Sequence, residues 1–135
     1  MDSVITLPSL NPCSSPQAVV DEHLEALNQG DWERTMAQYP PGVEIFLPDG
    51  QVVQGRENVG NLFSNFFKPR SDGGLRGVKF DVMHSFSVGD TITIVWRITA
   101  DFLKEPYLGT EAYITKDGLM WAQTSSLRFE DLKFK

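Results

Sequence analysis

Three side chains in this sequence have the type and setting for proton chemistry: His23, His84 and Glu111. His23 falls with Val19, Val20, Leu24 and Leu27 on one side of a helical stretch. An imidazole there either exchanges hydrogen bonds with a ligand, its pKa tuned by burial, or bonds a neighbouring backbone at the core boundary. Glu111 and Tyr113 share one strand face, because alternate residues point the same way. Inside an apolar enclosure that carboxyl has a raised pKa and serves as acid or base; at a sheet edge it is a solvated carboxylate. His84 interrupts the apolar run Phe80, Val82, Phe86. If that face lines an interior, His84 is a second acid–base candidate; if it is the outer face, His84 lies in a dimer interface.

A second group of residues is placed to line a ligand rather than transform it. Gln123 and Ser125, with Trp121 and Leu127, form one wall on the last predicted strand, and Tyr113 joins them. Arg97, Thr99 and Asp101 make a polar face; Arg97 and Asp101 either meet a ligand or form a surface pair of little energetic weight. The phenylalanines of the third predicted helix read as core, and Phe63 is the one carried with the ligand-lining set. Two histidines and one cysteine, far apart in sequence, give no recognised metal-ligand spacing. No glycine loop suited to cradling phosphate is present, and Cys13 has no evident activating neighbour. No cofactor is expected.

The elements that must position these groups follow from periodicity. Residues 1–13, with Pro8 and Pro12, read as an arm without regular structure, and 14–135 as one domain. Ser15-Pro16 is an N-cap followed by proline at the first helical position. The stretch Leu27-Asn28-Gln29-Gly30-Asp31-Trp32 ends that helix and begins another, with Gly30 closing the last turn and Asp31 capping the next. Trp32, Met36 and Tyr39 lie on one stripe of the second helix, which Pro40-Pro41-Gly42 stops. Short strands at 43–47 and 51–54 flank Pro48-Asp49-Gly50. Val59, Leu62, Phe63, Phe66 and Phe67 then mark the buried face of a third helix.

From Gly77 the period changes to two. Val78, Phe80, Val82, His84, Phe86 and Val88 alternate with more polar residues, and Ile92, Ile94, Trp96 and Ile98 do the same after a Gly89-Asp90 turn. Two further strands run from about Tyr107 to Thr115 and from Leu119 to Phe129, joined by Asp117-Gly118. Four strands joined by short turns make an antiparallel meander. The expected fold is α+β: a bent, cone-forming antiparallel sheet with three helices on its concave side and a cavity at the wide end.

Composition narrows the partners. The chain has 135 residues, 41% hydrophobic and 22% charged, as an ordinary globular domain does. A net charge of −6 argues against a nucleic-acid surface and against an anionic membrane surface. No apolar run approaches the roughly 18 residues of a membrane span, and no signal peptide is visible. The single cysteine points to a reducing, cytoplasmic setting.

The chain resembles the NTF2-like superfamily in its SnoaL-like branch, from about Ala18 to Phe129. The resemblance rests on Leu27 through Trp32, Pro48-Asp49-Gly50 with Gly55, Ile94-Val95-Trp96-Arg97, and Tyr113 through Leu119. It implies the cone fold, a homodimer through the outer sheet face, and a small apolar organic ligand. It leaves open either cofactor-free chemistry (cyclisation, isomerisation or dehydration of a polyketide- or terpenoid-type substrate) or a non-catalytic binding module. Against the steroid-isomerase branch, His23 stands where a tyrosine oxyanion donor stands, five positions before Asn28, and Glu111 resembles a buried aspartic acid kept neutral by its apolar site. The branch's general base falls at Leu47, which accepts no proton. Against the epoxide-hydrolase branch, Arg97 is kept and the aspartate two positions on is Thr99, with Asp101 one step further along the same face.

Overall fold

The computed structural model describes residues 6–135. Helix α1 spans Pro16–Gln29, α2 Trp32–Met36 and α3 Arg56–Phe66. The Ser15 hydroxyl accepts from the Ala18 N–H at 3.1 Å, and Pro16 occupies the first turn, where no donor is lost. Gly30 ends α1 at φ 65°, a left-handed conformation that a side chain would disfavour. The Asp31 carboxylate then caps α2 by accepting from Arg34 N–H at 3.1 Å. Helix α2 is shorter than its stripe predicts: it ends at Met36, and Tyr39 lies beyond it, in the coil leading to Pro40.

Six strands form one sheet: β1 Glu44–Phe46, β2 Val52–Gln54, β3 Lys79–Val88, β4 Thr91–Thr99, β5 Tyr107–Lys116 and β6 Leu119–Ser125. Their order is β2-β1-β6-β5-β4-β3, so the last four form the expected meander. All neighbours are antiparallel except β1 and β6, which pair in parallel with Ile45 beside Gln123. The fold is α+β, with three helices packed on a curved six-stranded sheet. The link from β4 to β5 is a longer segment, 100–106, rather than a tight turn. Strand β6 stops at Ser125, short of the expected Phe129. The chain turns away there, with the Ser125 hydroxyl accepting from the Leu127 N–H at 3.1 Å.

Strand β4 divides the two sheet faces. Ile92, Ile94, Trp96 and Ile98 are buried against the helices, while Thr91, Thr93, Val95, Arg97 and Thr99 point outward. Trp96 is fully buried and lies across Gly109 of β5, where a Cβ would come within 2.5 Å of the indole. Asn28 ties the end of α1 to β3. Its Nδ2 donates to the Phe80 carbonyl at 3.1 Å and its Oδ1 accepts from the Phe80 N–H at 2.7 Å. That side chain does for β3 what a neighbouring strand would do.

Strand β3 departs from its predicted alternation. Val82 pairs with Trp96, but His84 pairs with Val95, so Met83 is an extra residue in a bulge. The bulge shifts the register by one and turns His84, Phe86 and Val88 to the outer face. Of the arm, residues 6–13 have no regular structure, and 1–5 lie outside the described residues. The arm is tied down: Asn11 N–H donates to the Ala37 carbonyl at 2.9 Å and Cys13 N–H to the Gly118 carbonyl at 2.9 Å.

Candidate functional site

Between the helices and the sheet's inner face lies a cavity of about 210 Å³. Leu27 of α1, Leu62, Phe63 and Phe66 of α3, Phe80 of β3 and Leu47 after β1 contribute to its apolar wall. Leu127 and Phe129, beyond the end of β6, line another side. Four polar residues interrupt this lining: His23, Glu111, Gln123 and Ser125. No lysine or arginine is among the lining residues.

His23 and Glu111 therefore meet at one cavity although 88 positions separate them in sequence (111 − 23). A chain of side chains joins them. The Gln123 amide Nε2 donates to Glu111 Oε2 at 3.0 Å, and the Tyr39 hydroxyl donates a short hydrogen bond to Gln123 Oε1. The Tyr39 oxygen lies 3.5 Å from His23 Nδ1. His23 Nε2 is buried and without a partner among the described residues. Tyr113 packs edge-on against the His23 ring, with centroids 5.3 Å apart.

Burial sets the protonation states. It pushes the Glu111 carboxyl up to about 8, well above its ordinary 4.5, because a carboxylate loses its hydration here. Tyr113, Trp96 and Gln123 stand near enough to oppose that shift. Only Gln123 makes a hydrogen bond of ordinary geometry; the Tyr113 hydroxyl and Trp96 Nε1 are buried without partners. Burial lowers His23 to about 4, so its imidazole is neutral at pH 7. Burial first, and then the nearby Glu111, hold the Tyr39 and Tyr113 hydroxyls well above their usual range, so both keep their protons. An apolar enclosure thus presents a neutral carboxylic acid and a neutral imidazole.

The remaining expected site residues stand elsewhere. His84 is exposed on the outer face, carried there by the Met83 bulge. Arg97 also points outward and pairs with Asp81, Nη2 to Oδ2 at 3.5 Å, rather than with Asp101. Asp101 is an exposed residue of the turn after β4. Trp121 lies outside the cavity lining: its indole N–H donates to the Lys116 carbonyl at 3.0 Å, and its ring covers Gly42. A register shift after Ile114 leaves Trp121 unpaired between Met120 and Ala122, which takes it off the wall that Gln123 and Ser125 form. Tyr113 is buried against the His23 ring and is not among the lining residues. Phe63 does line the cavity, stacked on Tyr39 with centroids 5.7 Å apart.

Tyr39 is the residue that sequence reasoning misses. Its signal was a tyrosine on an apolar stripe, since a buried hydroxyl needs a partner. Cys13 donates its thiol to Gln38 Oε1 at 3.3 Å, and burial raises its pKa, which leaves it unactivated. Among the described residues, no group of three or more His, Cys, Asp or Glu is placed to hold a metal ion, and no helix is long and apolar enough to cross a membrane.

Comparison with solved structures finds the same fold at low sequence identity. A computationally designed 17-OHP binder superposes with a TM-score of 0.72 at 18% identity, over 91% of this chain and 98% of the other. The RV0760c protein of Mycobacterium tuberculosis gives 0.71 at 18% identity, over 93% and 100%. A candidate ketosteroid isomerase from Kribbella flavida gives 0.67 at 20% identity, over 82% and 75%. No curated protein matches the sequence. The sequence model of the SnoaL-like domain matches residues 20–135, which takes in all of α1 but its first turn and every element after it, and the chain belongs to the SnoaL-like domain family.

Proposed function

We propose that this protein binds a small organic molecule and performs cofactor-independent acid–base chemistry on it, as a cyclase, isomerase or dehydratase of an apolar, oxygen-bearing substrate of polyketide or terpenoid type. One observation carries this reading: Glu111 and His23 are both among the residues that line one apolar cavity, and burial keeps both uncharged at pH 7. A neutral carboxyl donates a proton to a substrate oxygen, while a neutral imidazole takes one from elsewhere on the substrate. The carboxylate left behind faces the Gln123 amide, the Tyr113 hydroxyl and Trp96 Nε1. The last two donors are unpartnered beforehand, so charge on Glu111 meets groups already in place. Gln123 and Ser125 are the polar groups left to orient the substrate.

Native mass spectrometry of the purified protein identifies a retained ligand, and turnover of that compound tests the chemistry. His23→Ala and Glu111→Ala are each expected to lower turnover about 10²- to 10⁴-fold, the usual contribution of a positioned acid or base. Unchanged turnover in both variants removes the catalytic reading. A second reading, a binding module without catalysis, is favoured by Leu47, whose side chain lines the cavity where the resemblance implies a general base.

The outer face is proposed as a homodimer interface in a cytoplasmic protein. Phe86 (62% exposed), Val88 (76%) and Leu108 (65%) stand there as apolar side chains in water. Light scattering at micromolar concentration is expected to give twice the 15.2 kDa chain mass, and a monomer mass overturns it.

A further inference from the structure

Resting on the ligand-binding reading above, we infer that the cavity takes a neutral ligand of about one ring that bears a hydroxyl group, and that this hydroxyl donates its proton to His23 Nε2.

The hydrogen-bond chain sets the direction of that contact. Gln123 turns its amide nitrogen to Glu111, which leaves its oxygen toward Tyr39. A tyrosine hydroxyl has one proton, and Tyr39 gives it to Gln123 Oε1. Toward His23 Nδ1 the Tyr39 oxygen can therefore only accept, and Nδ1 carries the imidazole proton. A neutral imidazole protonated at Nδ1 has a bare lone pair at Nε2. That atom is fully buried and unpartnered, and its residue lines the cavity. An acceptor in an apolar enclosure is satisfied by a donor, and the lining offers none in bond with it. The donor belongs to the ligand.

Size and charge come from the walls. An apolar cavity of about 150 Å³ holds benzene, while drug-sized ligands occupy roughly 300–1,000 Å³. At about 210 Å³ this cavity has room for one ring with short substituents. No cationic side chain lines it to neutralise a carboxylate or phosphate, so an anionic ligand would be stripped of water without compensation.

Three probes of matched shape separate the parts of this inference: p-cresol, 4-methylanisole and p-toluate, with isothermal titration calorimetry as the readout. The phenol is expected to bind about tenfold or more tightly than the ether, because the ether leaves His23 Nε2 unpaired. The toluate is expected not to bind. In the Tyr39→Phe variant nothing holds the Nδ1 proton in place, and the preference for the phenol is expected to shrink. Independently of any ligand, ¹⁵N NMR of the full chain reads the tautomer of His23, and protonation at Nδ1 is expected. Equal binding of phenol and ether overturns the donor inference while leaving a ligand-binding cavity. A His23 ring protonated at Nε2 overturns it directly. If none of the three probes binds, both this inference and the binding reading fall.

Discussion

The two faces of one sheet carry similar residues with opposite consequences. On the inner face, Glu111 and Gln123 sit among Ile92, Ile94 and Trp96, and helix α1 adds His23. On the outer face of the same sheet stand His84, Asp81 and Arg97, with Phe86 and Val88. Both faces hold a histidine and a carboxyl. Inside, each of the two is pushed toward its neutral form by lost hydration; outside, Asp81 keeps an exposed partner in water at 3.5 Å. The setting of an ionisable group in this fold therefore follows its face, not its residue type. The curvature of the sheet decides which face encloses space.

The contrast is tested most strongly by truncating neighbours that point opposite ways. Ile94→Ala removes a side chain only 1% exposed and leaves a hole against the helices. Urea unfolding is expected to show a loss of about 2–5 kcal/mol. Thr93→Ala, one residue earlier and on the outer face, is expected to stay within about 0.5 kcal/mol. Comparable losses in the two variants would mean that the outer face is as tightly packed as the inner one.

The next effect is read from pH. Glu111 binds its proton up to about 8 when folded and to 4.5 when unfolded. Between those values the folded state holds a proton the unfolded state has lost, so stability falls as pH rises, by about 1.4 kcal/mol per pH unit. His23 acts in the other direction: between about 4 and 6.5 only the unfolded state is protonated, and stability rises with pH. The two opposing slopes cancel from 4.5 to 6.5, and the Glu111 slope alone remains from 6.5 to about 8. Glu111→Gln is expected to gain on the parent by about 1.4 kcal/mol per pH unit from 4.5 to 8, followed by chemical denaturation. A difference independent of pH would show that this carboxyl is ionised in the folded protein.

Sequence carried the local elements well and the register shifts and long-range pairings badly, for a physical reason. The turn at Gly30-Asp31, the α3 phenylalanines and the alternation of β4 are local patterns, and local patterns fix local structure. The resemblance, registered on Asn28, also implied a pocket position for His23, which lines the cavity. The Met83 bulge has no such signature: one extra residue, neither glycine nor proline, reverses His84, Phe86 and Val88. The parallel pairing of β1 with β6 was equally hidden, since it joins segments about 80 positions apart. Trp121 was lost to a register shift of the same kind. The role of Tyr39 depended on Gln123 reaching it across the sheet, and spacing does not report that meeting.

The smallest effect belongs to the pair that the sequence reading matched wrongly. Arg97 and Asp81 have side chains 42% and 53% exposed, so water screens their attraction and their hydrogen bonding is shared with solvent. Asp81→Ala is expected to cost about 0.2–1 kcal/mol in a monomer, and that cost is expected to shrink as salt is raised. The Arg97 Nε atom is buried without a partner among the described residues, so this guanidinium is held against the sheet by its stem and not by its charge. Arg97→Met, which keeps the stem, is expected to lose no more than Asp81→Ala. If instead Asp81→Ala costs several kcal/mol at any salt concentration, the outer face is not a solvated one. The pair would then be buried in the chain's solution assembly, and the difference between the two faces would be one of what covers them rather than of curvature alone.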